Sequence, residues 1–465
     1  MSDGLNRLPR ELADHFTKPF ARFLRIEAAA GAILLFFTLS ALALSNSPLS
    51  AAFLAFWDIP VGLHVGSFDF SHPLKHWIND GLMTLFFFVV ALELKRELVL
   101  GELSNPRMAV LSFAGALGGM LVPAAVYLVL QSGEPGAAGW GTVVATDTAF
   151  LIGCLAVLGP RIPHSLRLFL LSLAIFDDIG AILVVALGYG HALNWQMLAL
   201  ATVGFAIVPG LACLGIRSVP VYFLAGGLIW LALDGSGIHA TLTGVLLGLM
   251  TPTRVWVSDR RLHAILDRIM LARPRSGHRA GDTPDRRGLQ LVEAATREAL
   301  SPVERLEIAL HPWVGFAIMP LFAFANAGVP ISVADLRGSV AMSVFAGFVF
   351  GKPVGVLTLS WVAVRLGLAT RPPELSWGML AAGSLLTGIG FTMALFIANA
   401  AFSHDLLNGA KLGILSASIV SAAVGILVLT WLTTKSGSAD LQVDVVTPTL
   451  VGMSPAGSVL ADSTK

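Results

Sequence analysis

Residues 166–188 read LRLFLLSLAIFDDIGAILVVALG and place two adjacent carboxylates, Asp177 and Asp178, in the middle of an apolar run. At about 1.5 Å per residue, a helix of this length crosses the hydrocarbon core of a bilayer, which is about 30 Å thick. A carboxylate at the centre of a membrane helix costs about 2.5–3.5 kcal/mol. Two adjacent ones are expected to face water, bind a cation or carry protons, so the pair predicts a cation or proton site at the membrane midplane.

The composition also indicates a membrane protein with several spans. Hydrophobic residues make up 55% of the 465 residues and charged residues only 13%, whereas a soluble domain carries about 25% charged residues. The formal net charge of +1 gives no reason to expect a nucleic-acid partner. We expect no cofactor and no enzymatic activity.

The apolar runs predict an all-α fold of about twelve transmembrane helices. The runs lie at 27–45, 74–94, 108–130, 140–159, 166–189, 195–216, 219–233, 237–250, 303–329, 338–366, 376–402 and 410–433. Lys and Arg are concentrated in alternate loops, so the positive-inside rule places both termini in the cytoplasm. The predicted organisation is therefore a cytoplasmic segment (1–26), helices 1–8 (27–253), a cytoplasmic polar insert (254–300), helices 9–12 (301–434) and a disordered cytoplasmic tail (435–465).

A short segment between the first two spans differs from the rest of the chain. Residues 60–70 read PVGLHVGSFDF and alternate apolar and polar side chains around Gly66 and Ser67. This alternation is typical of a small β-hairpin. An irregular external loop would fit the same residues.

Two spans carry polar interruptions where a membrane helix should be apolar. One contains Thr146 and Asp147, and the other is residues 386–392, LTGIGFT. Non-helical backbone at membrane depth survives only inside protein or beside a water-filled cavity. A pair of interrupted helices in corresponding halves of a chain indicates a transporter binding site. We therefore predict an inverted repeat of spans 3–5 and 10–12 with two unwound, crossing helices.

The ends created by a helix break explain two further buried charges. The N-terminal ends of helices carry partial positive charge and the C-terminal ends partial negative charge, each about half an elementary charge. Asp147 is suited to lie near the positive ends and Lys352 near the negative ones, and Lys352 is also predicted to pair with Asp177. The alternatives are a polar helix end near the surface for Asp147 and snorkelling to the interface for Lys352.

Other charged residues lie near the ends of spans, where structural and functional interpretations both remain open. Asp80 could be an interfacial helix cap, and His239 a structural histidine. The i,i+3 and i,i+4 spacings place the remaining residues on helix faces: Glu93, Arg96 and Glu97 in one span, Glu307 and His311 in another. These residues could form solvated salt bridges or a pH-responsive mouth.

Seven motifs carry a resemblance to a known family. They are WINDGLMTLFFFVVALELKREL, ATDTAFLIG, LAIFDDIGAI, GIHATLTGVLLG, LHPWVGFAIMPLFAFANAGV, GKPVG and GIGFTMALFIA. In this order, over about residues 20–434, they resemble the NhaA family of bacterial Na+/H+ antiporters. The combination of ATDTAF, the buried double Asp and GKP is highly specific.

The resemblance implies roles for these residues. Asp178, with Asp177, matches the sodium ligands, Thr146 and Asp147 match the unwound helix, and Lys352 matches the intramembrane lysine. The cytoplasmic pH-sensing residues correspond to Glu93, Arg96, Glu97, Glu307 and His311, with His239 also linked to pH response and Asp80 an accessory acidic residue. The implied partners are Na+, H+, the lipid bilayer of the bacterial inner membrane and a second copy bound through the 60–70 hairpin.

Three features depart from the family pattern. Ile308 stands where some members carry a second His, the 254–300 insert is longer than expected, and the tail beyond about residue 435 has no recognised counterpart. The first departure concerns the pH response, since His titrates near physiological pH.

The resulting expectation is an electrogenic antiporter that exports Na+ or Li+ in exchange for external H+ and is activated at alkaline pH. An intramembrane aspartyl protease needs its two carboxylates on separate helices, one after a Gly-x-Gly turn, whereas here the pair is adjacent and Gly390 is followed by Phe391. A sodium-coupled solute symporter with the same inverted repeat remains open, because substrate pockets leave weak sequence signatures.

Overall fold

A computed structural model describes residues 27–65, 68–99, 101, 106–190, 193–214, 218–253 and 300–443. The predictions made for residues 1–26, for nearly all of the 254–300 insert and for residues 444–465 lie outside these ranges. The described part is predominantly helical, which agrees with the predicted fold class.

The helices follow the apolar runs closely. In chain order they are α1 (Glu27–Ser45), α2 (Ser50–Trp57), α3 (Leu74–Val99), α4 (Pro106–Leu130), a 3-10 helix (Pro135–Val143), α5 (Thr148–Leu158), α6 (His164–Gly188), α7 (Trp195–Cys213), α8 (Val219–Asp234), α9 (Leu242–Met250), α10 (Pro302–Asn326), α11 (Val333–Leu336), α12 (Ser339–Arg365), α13 (Trp377–Leu386), α14 (Phe391–Ala401) and α15 (His404–Val443). Short π-helical turns interrupt α3, α10 and α12 at Trp77–Leu82, Val314–Ile318 and Gly347–Gly351.

Helix length gives a smaller number of full membrane crossings than the sequence pattern predicts. Within the described ranges, seven helices are long and apolar enough to cross a membrane, and up to ten if each of three bent helix pairs is one span. The two shortest predicted runs become α8 and α9, with 16 and 9 residues. The fold is thus a polytopic helical membrane protein, and twelve crossings stay a prediction.

The outer surface is apolar, as a bilayer requires. Large side chains such as Leu224 on α8, Val129 on α4 and Leu427 on α15 are more than two-thirds exposed. Lipid chains are the natural surroundings of such faces, since the bilayer core offers no water.

The segment between α2 and α3 forms the expected hairpin. Strands β1 (Pro60–Val65) and β2 (Phe68–Pro73) pair antiparallel, in a register that runs from Pro60↔Pro73 to Val65↔Phe68. The paired region continues three residues past the predicted end at 70, because β2 stays extended up to the proline that precedes α3. Trp77 Nε1 donates to the Val61 carbonyl at 2.8 Å and ties the hairpin to α3.

Helices α4 and α12 pack against each other along much of their lengths. A Cβ atom on Gly118 would overlap the carbonyl oxygen of Gly355, and a Cβ on Gly355 would overlap that of Gly118. Small residues at helix crossings in membranes let backbones approach closely, which maximises van der Waals contact. This close crossing places α12 and its Lys352 against the broken helices.

The last helix is longer than the sequence predicts. The apolar pattern ends at 433 and the tail was expected to be disordered from 435, but α15 continues to Val443. Hydropathy marks where a helix leaves the apolar layer and carries no information on where its backbone hydrogen bonding stops.

Candidate cation and proton site

The two interrupted helices meet at their breaks. The 3-10 helix Pro135–Val143 and α5 are bent by 45° around residues 144–147, and α13 and α14 by 52° around residues 387–390. The backbone N–H of Asp147 in the first break donates to the carbonyl of Ile389 in the second at 2.7 Å. The side chains of Thr146, Thr387 and Thr392 in and beside the breaks are fully buried, so protein surrounds the non-helical backbone.

Asp147 lies between two helix N-termini. It is the N-cap of α5, where its Oδ1 accepts from the Phe150 N–H at 3.0 Å. Its Oδ2 accepts from the N–H of Thr392, in the first turn of α14, at 2.8 Å and from the Thr392 hydroxyl at 2.5 Å. The carboxylate therefore sits near the partial positive charge of both helices. Because the residue is 0% exposed, it is not a polar helix end at the surface.

Lys352 is fully buried and bridges a carbonyl and a carboxylate. Its Nζ donates to the carbonyl of Val144, directly after the 3-10 helix, at 2.6 Å, and lies 3.2 Å from Oδ2 of Asp177. The first contact places the cation at a negative helix end, and the second is the ion pair predicted from sequence. Complete burial excludes snorkelling to the interface.

The acidic pair on α6 is partly compensated by hydroxyl groups. Thr146 Oγ1 donates to Asp177 Oδ2 at 2.6 Å, and Thr148 Oγ1 donates to Asp178 Oδ2 at 2.9 Å. The Oδ1 atoms of both aspartates are buried and have no hydrogen-bond partner among the described residues. Buried oxygens of this kind are costly unless they bind a proton or a cation.

Two residues of the site were not singled out from the sequence. Thr148 and Thr392 each hold a carboxylate through the hydroxyl, and each stands within two residues after a helix break. A hydroxyl placed immediately after a break, opposite a buried acid, is the signal that could have identified them.

The charged residues at the ends of α3 and α10 form one cluster across these two helices. Arg96 of α3 contacts Glu307 of α10 through Nη1 at 2.6 Å and Glu97 through Nη2 at 2.9 Å. The sequence grouped these residues by helix, whereas the structure joins the groups through Arg96. Glu307 is only 7% exposed, and His311 is exposed on the next turn of α10.

Asp80 and His239 take other partners. Asp80 Oδ2 lies 3.1 Å from His76 Nδ1. Asp80 precedes Arg96 by sixteen residues on α3, so these two residues are about 24 Å apart along the helix. Asp80 therefore belongs to the opposite end of α3 from the Arg96 cluster. His239 Nε2 lies 3.2 Å from the carbonyl of Tyr189, a contact that joins the segment before α9 to the end of α6.

Interrupted helices that meet at their breaks, together with buried carboxylates and a buried lysine, are typical of secondary transporters. Comparison with known proteins narrows the class. Residues 21–454 match the model of the family described as Na+/H+ antiporter 1, and the chain belongs to this family.

Its relatives are similar over nearly their whole lengths. The chain is 64% identical to the Na(+)/H(+) antiporter NhaA of Rhizobium meliloti, over 94% of this chain and 100% of the relative. It is 58% identical to NhaA 2 of Acidiphilium cryptum (93% and 96% covered) and 54% identical to NhaA 2 of Vibrio vulnificus (92% and 95% covered).

Proposed function

We propose that the chain is an electrogenic antiporter that exports Na+ or Li+ in exchange for external H+ and serves pH and sodium homeostasis. The observation that carries the proposal is the pair of buried Oδ1 atoms of Asp177 and Asp178 without hydrogen-bond partners among the described residues. Sodium is a hard cation and takes oxygen ligands, carboxylates above all. The names of the relatives support the same exchange.

Competition between Na+ and H+ for the same carboxylate oxygens couples the sodium flux to the proton flux. Burial and a neighbouring like charge both favour the neutral form of a carboxyl group, so Asp178 either holds a proton or binds the cation. When the cation also takes Asp177, Lys352 loses its ion-pair partner and releases a proton. Two protons then exchange for one sodium ion, and the cycle moves net charge.

Alternating access uses the broken helices as part of a moving unit. In our proposal, spans 3–5 (α4, the 3-10 helix with α5, and α6) and spans 10–12 (α12, α13 with α14, and α15) form the inverted repeat and move against the other spans. The interlocked glycines of α4 and α12 support movement of the two halves as one body. The full arrangement is twelve spans in the bacterial inner membrane with both termini in the cytoplasm.

The cytoplasmic cluster is proposed as the pH sensor. Its members are Glu93, Arg96, Glu97, Glu307 and His311. His239 is proposed as a further contributor to the pH response, and Asp80, at the opposite end of α3, as an accessory acidic residue for exchange. Protonation of Glu307 would break the contact of Arg96 between α3 and α10, which would account for activation at alkaline pH. The hairpin at 60–73 is the proposed dimer contact.

Everted membrane vesicles test the exchange. Respiration generates a pH gradient that quenches the fluorescence of a ΔpH probe, and Na+ or Li+ is then added without any organic solute. We expect dequenching that grows with pH, and a collapse of the membrane potential should slow it. Dequenching that occurs only after addition of an organic solute would favour the sodium-coupled symporter.

A further inference from the structure

Three side chains of the metal-ligating kind meet where the hairpin joins the bundle. They are His72 on β2, His76 in the first turn of α3 and Asp234 at the end of α8, and their ligand atoms all lie within 4.8 Å of one another. His76 Nε2 is 3.4 Å from Asp234 Oδ1, and His72 Nε2 is 3.7 Å from Asp234 Oδ2. The two imidazole rings are stacked, with centroids 4.2 Å apart.

These separations are of the size found between the ligand atoms of a tetrahedral metal site. Zinc binds histidine nitrogen at about 2.0–2.1 Å and carboxylate oxygen at about 2.0–2.2 Å, so two ligand atoms in a tetrahedral site are about 3.3 Å apart. The two contacts of Asp234 are within a few tenths of an ångström of that value, but they are made by its two different oxygens. A shared ion therefore requires one oxygen to turn between the two nitrogens. It also requires the rings, which are stacked with 22° between their planes, to rotate so that both nitrogens face the ion.

The surroundings of His76 also match a metal ligand. Its Nδ1 lies 3.1 Å from Asp80 Oδ2, and a metal-bound histidine usually donates its other ring N–H to a carboxylate, which orients the free nitrogen. That nitrogen, Nε2, is buried and has no well-formed hydrogen bond within the described residues. It points at Asp234 across the cluster.

An ion pair of His76 with Asp80 and Asp234 accounts for the contacts of His76. It does not include His72, whose Nε2 also lies 3.7 Å from Asp234 Oδ2. A metal uses both neutral rings and the carboxylate together. The side chains of His72, His76 and Asp234 keep exposed fractions of 33%, 25% and 15%, which leaves access for an ion and a water ligand.

We propose that His72, His76 and Asp234 bind a divalent transition-metal ion of the zinc type, with Asp80 as the residue that positions His76. Imidazole nitrogen selects such ions over Na+ and Mg2+, which prefer oxygen. The bound ion would join β2, α3 and α8. It would thereby fix the hairpin to the bundle at the end of α3 opposite the Arg96 cluster.

Metal binding to the purified full chain, with any affinity tag removed, tests the proposal. Zinc chloride is titrated in detergent against a chromophoric zinc indicator. We expect one tightly bound zinc ion per chain, with affinity reduced at least about tenfold in His76→Gln and in Asp234→Asn. The control His164→Gln changes an exposed histidine at the start of α6 and should bind like the wild type.

Two further measurements distinguish the loss of a metal ligand from a folding defect in a variant. Zinc should raise the thermal unfolding temperature of the wild type, because a ligand of the folded state stabilises it, and should not raise that of His76→Gln. Cobalt(II) bound to the wild type should give the visible absorption of a tetrahedral site. Absence of saturable zinc binding and of the cobalt spectrum would overturn the proposal, as would undiminished binding in the doubly substituted His72→Gln/His76→Gln protein.

Discussion

At the scale of single residues, each buried charge of the site has a specific compensating group. Asp147 accepts from two helix N-termini, and Lys352 lies between the Val144 carbonyl and Asp177. These pairings could be predicted from sequence because a charge in an apolar span requires a partner. The roles of the Thr148 and Thr392 hydroxyls do not follow from residue type alone, because a threonine in a helix can satisfy itself on the carbonyl four residues earlier, as Thr38 does on Leu34. Only their position just after a helix break distinguishes them.

Removal of Lys352 should destabilise the protein strongly. Lys352→Ala leaves the Asp177 carboxylate buried without its partner, and breaking a buried pair in this way costs about 3–5 kcal/mol. Adding Asp177→Asn should recover part of the loss, whereas Arg337→Ala, an exposed cation, should be neutral. Thermal unfolding of these three variants and of Asp177→Asn alone, measured in detergent, gives the coupling, and strictly additive losses would contradict the ion pair.

Loss of the Thr148 hydroxyl should move the pH profile to more alkaline values. Thr148→Val removes the donor to Asp178 Oδ2, so the carboxylate is less stabilised and keeps its proton to higher pH. A hydrogen bond to a charged group is worth about 1.5–3 kcal/mol, which corresponds to a shift of about one to two pH units.

The matched control is Thr358→Val, whose exposed hydroxyl bonds only within its own helix α12. The measurement is the rate of sodium-driven proton flux in proteoliposomes from neutral to alkaline pH. An unchanged midpoint and an unchanged KM for Na+ in Thr148→Val would show that this hydroxyl does not stabilise the charged form.

At the scale of elements, the sequence indicates the positions at which helices are interrupted, but not the backbone geometry of the interruptions. The breaks near Asp147 and in residues 386–392 are visible because polar residues and glycines stand inside apolar runs. Three other features are not visible in the sequence: the 3-10 geometry of Pro135–Val143, the extra residues of β2 and the continuation of α15 to Val443. They depend on local backbone hydrogen bonding and on packing, which hydropathy does not encode.

The glycine crossing of α4 and α12 should not tolerate a methyl group. In Gly355→Ala the new Cβ overlaps the Gly118 carbonyl oxygen, and overpacking costs about 1–3 kcal/mol, more than the helix propensity of about 1 kcal/mol that alanine gains. The unfolding temperature and the exchange rate should both fall. Gly227→Ala on α8, where a Cβ meets no atom within 4 Å, should be neutral or stabilising; equal behaviour of the two variants would contradict the close crossing.

The Arg96–Glu307 contact between α3 and α10 should set the pH midpoint. Glu307→Gln removes the charge that Arg96 binds at 2.6 Å and should shift the midpoint of activity while leaving the maximal rate largely intact. Glu374→Gln, an exposed carboxylate before α13, is the control. An unchanged midpoint with a collapsed maximal rate would place Glu307 in the transport path, and no change in either would leave the cluster as a solvated helix end.

At the scale of the whole molecule, the class of protein follows from sequence while the count of crossings does not. Charge scarcity and repeated apolar runs predict a polytopic helical protein, and the family match extends over residues 21–454. The nine residues of α9 are too few to cross a bilayer at about 1.5 Å per residue. Length alone therefore does not decide whether short or broken helices of this kind are counted as crossings.

The central claim is that cation and proton compete at the carboxylates of α6. Asp178→Asn keeps the shape of the side chain, removes the charge and should abolish sodium-dependent proton flux in proteoliposomes. The purified variant should still unfold cooperatively at a temperature close to that of the wild type, and Asp405→Asn, an exposed aspartate at the start of α15, should transport normally. Near-normal flux from folded Asp178→Asn would contradict the assignment of the site.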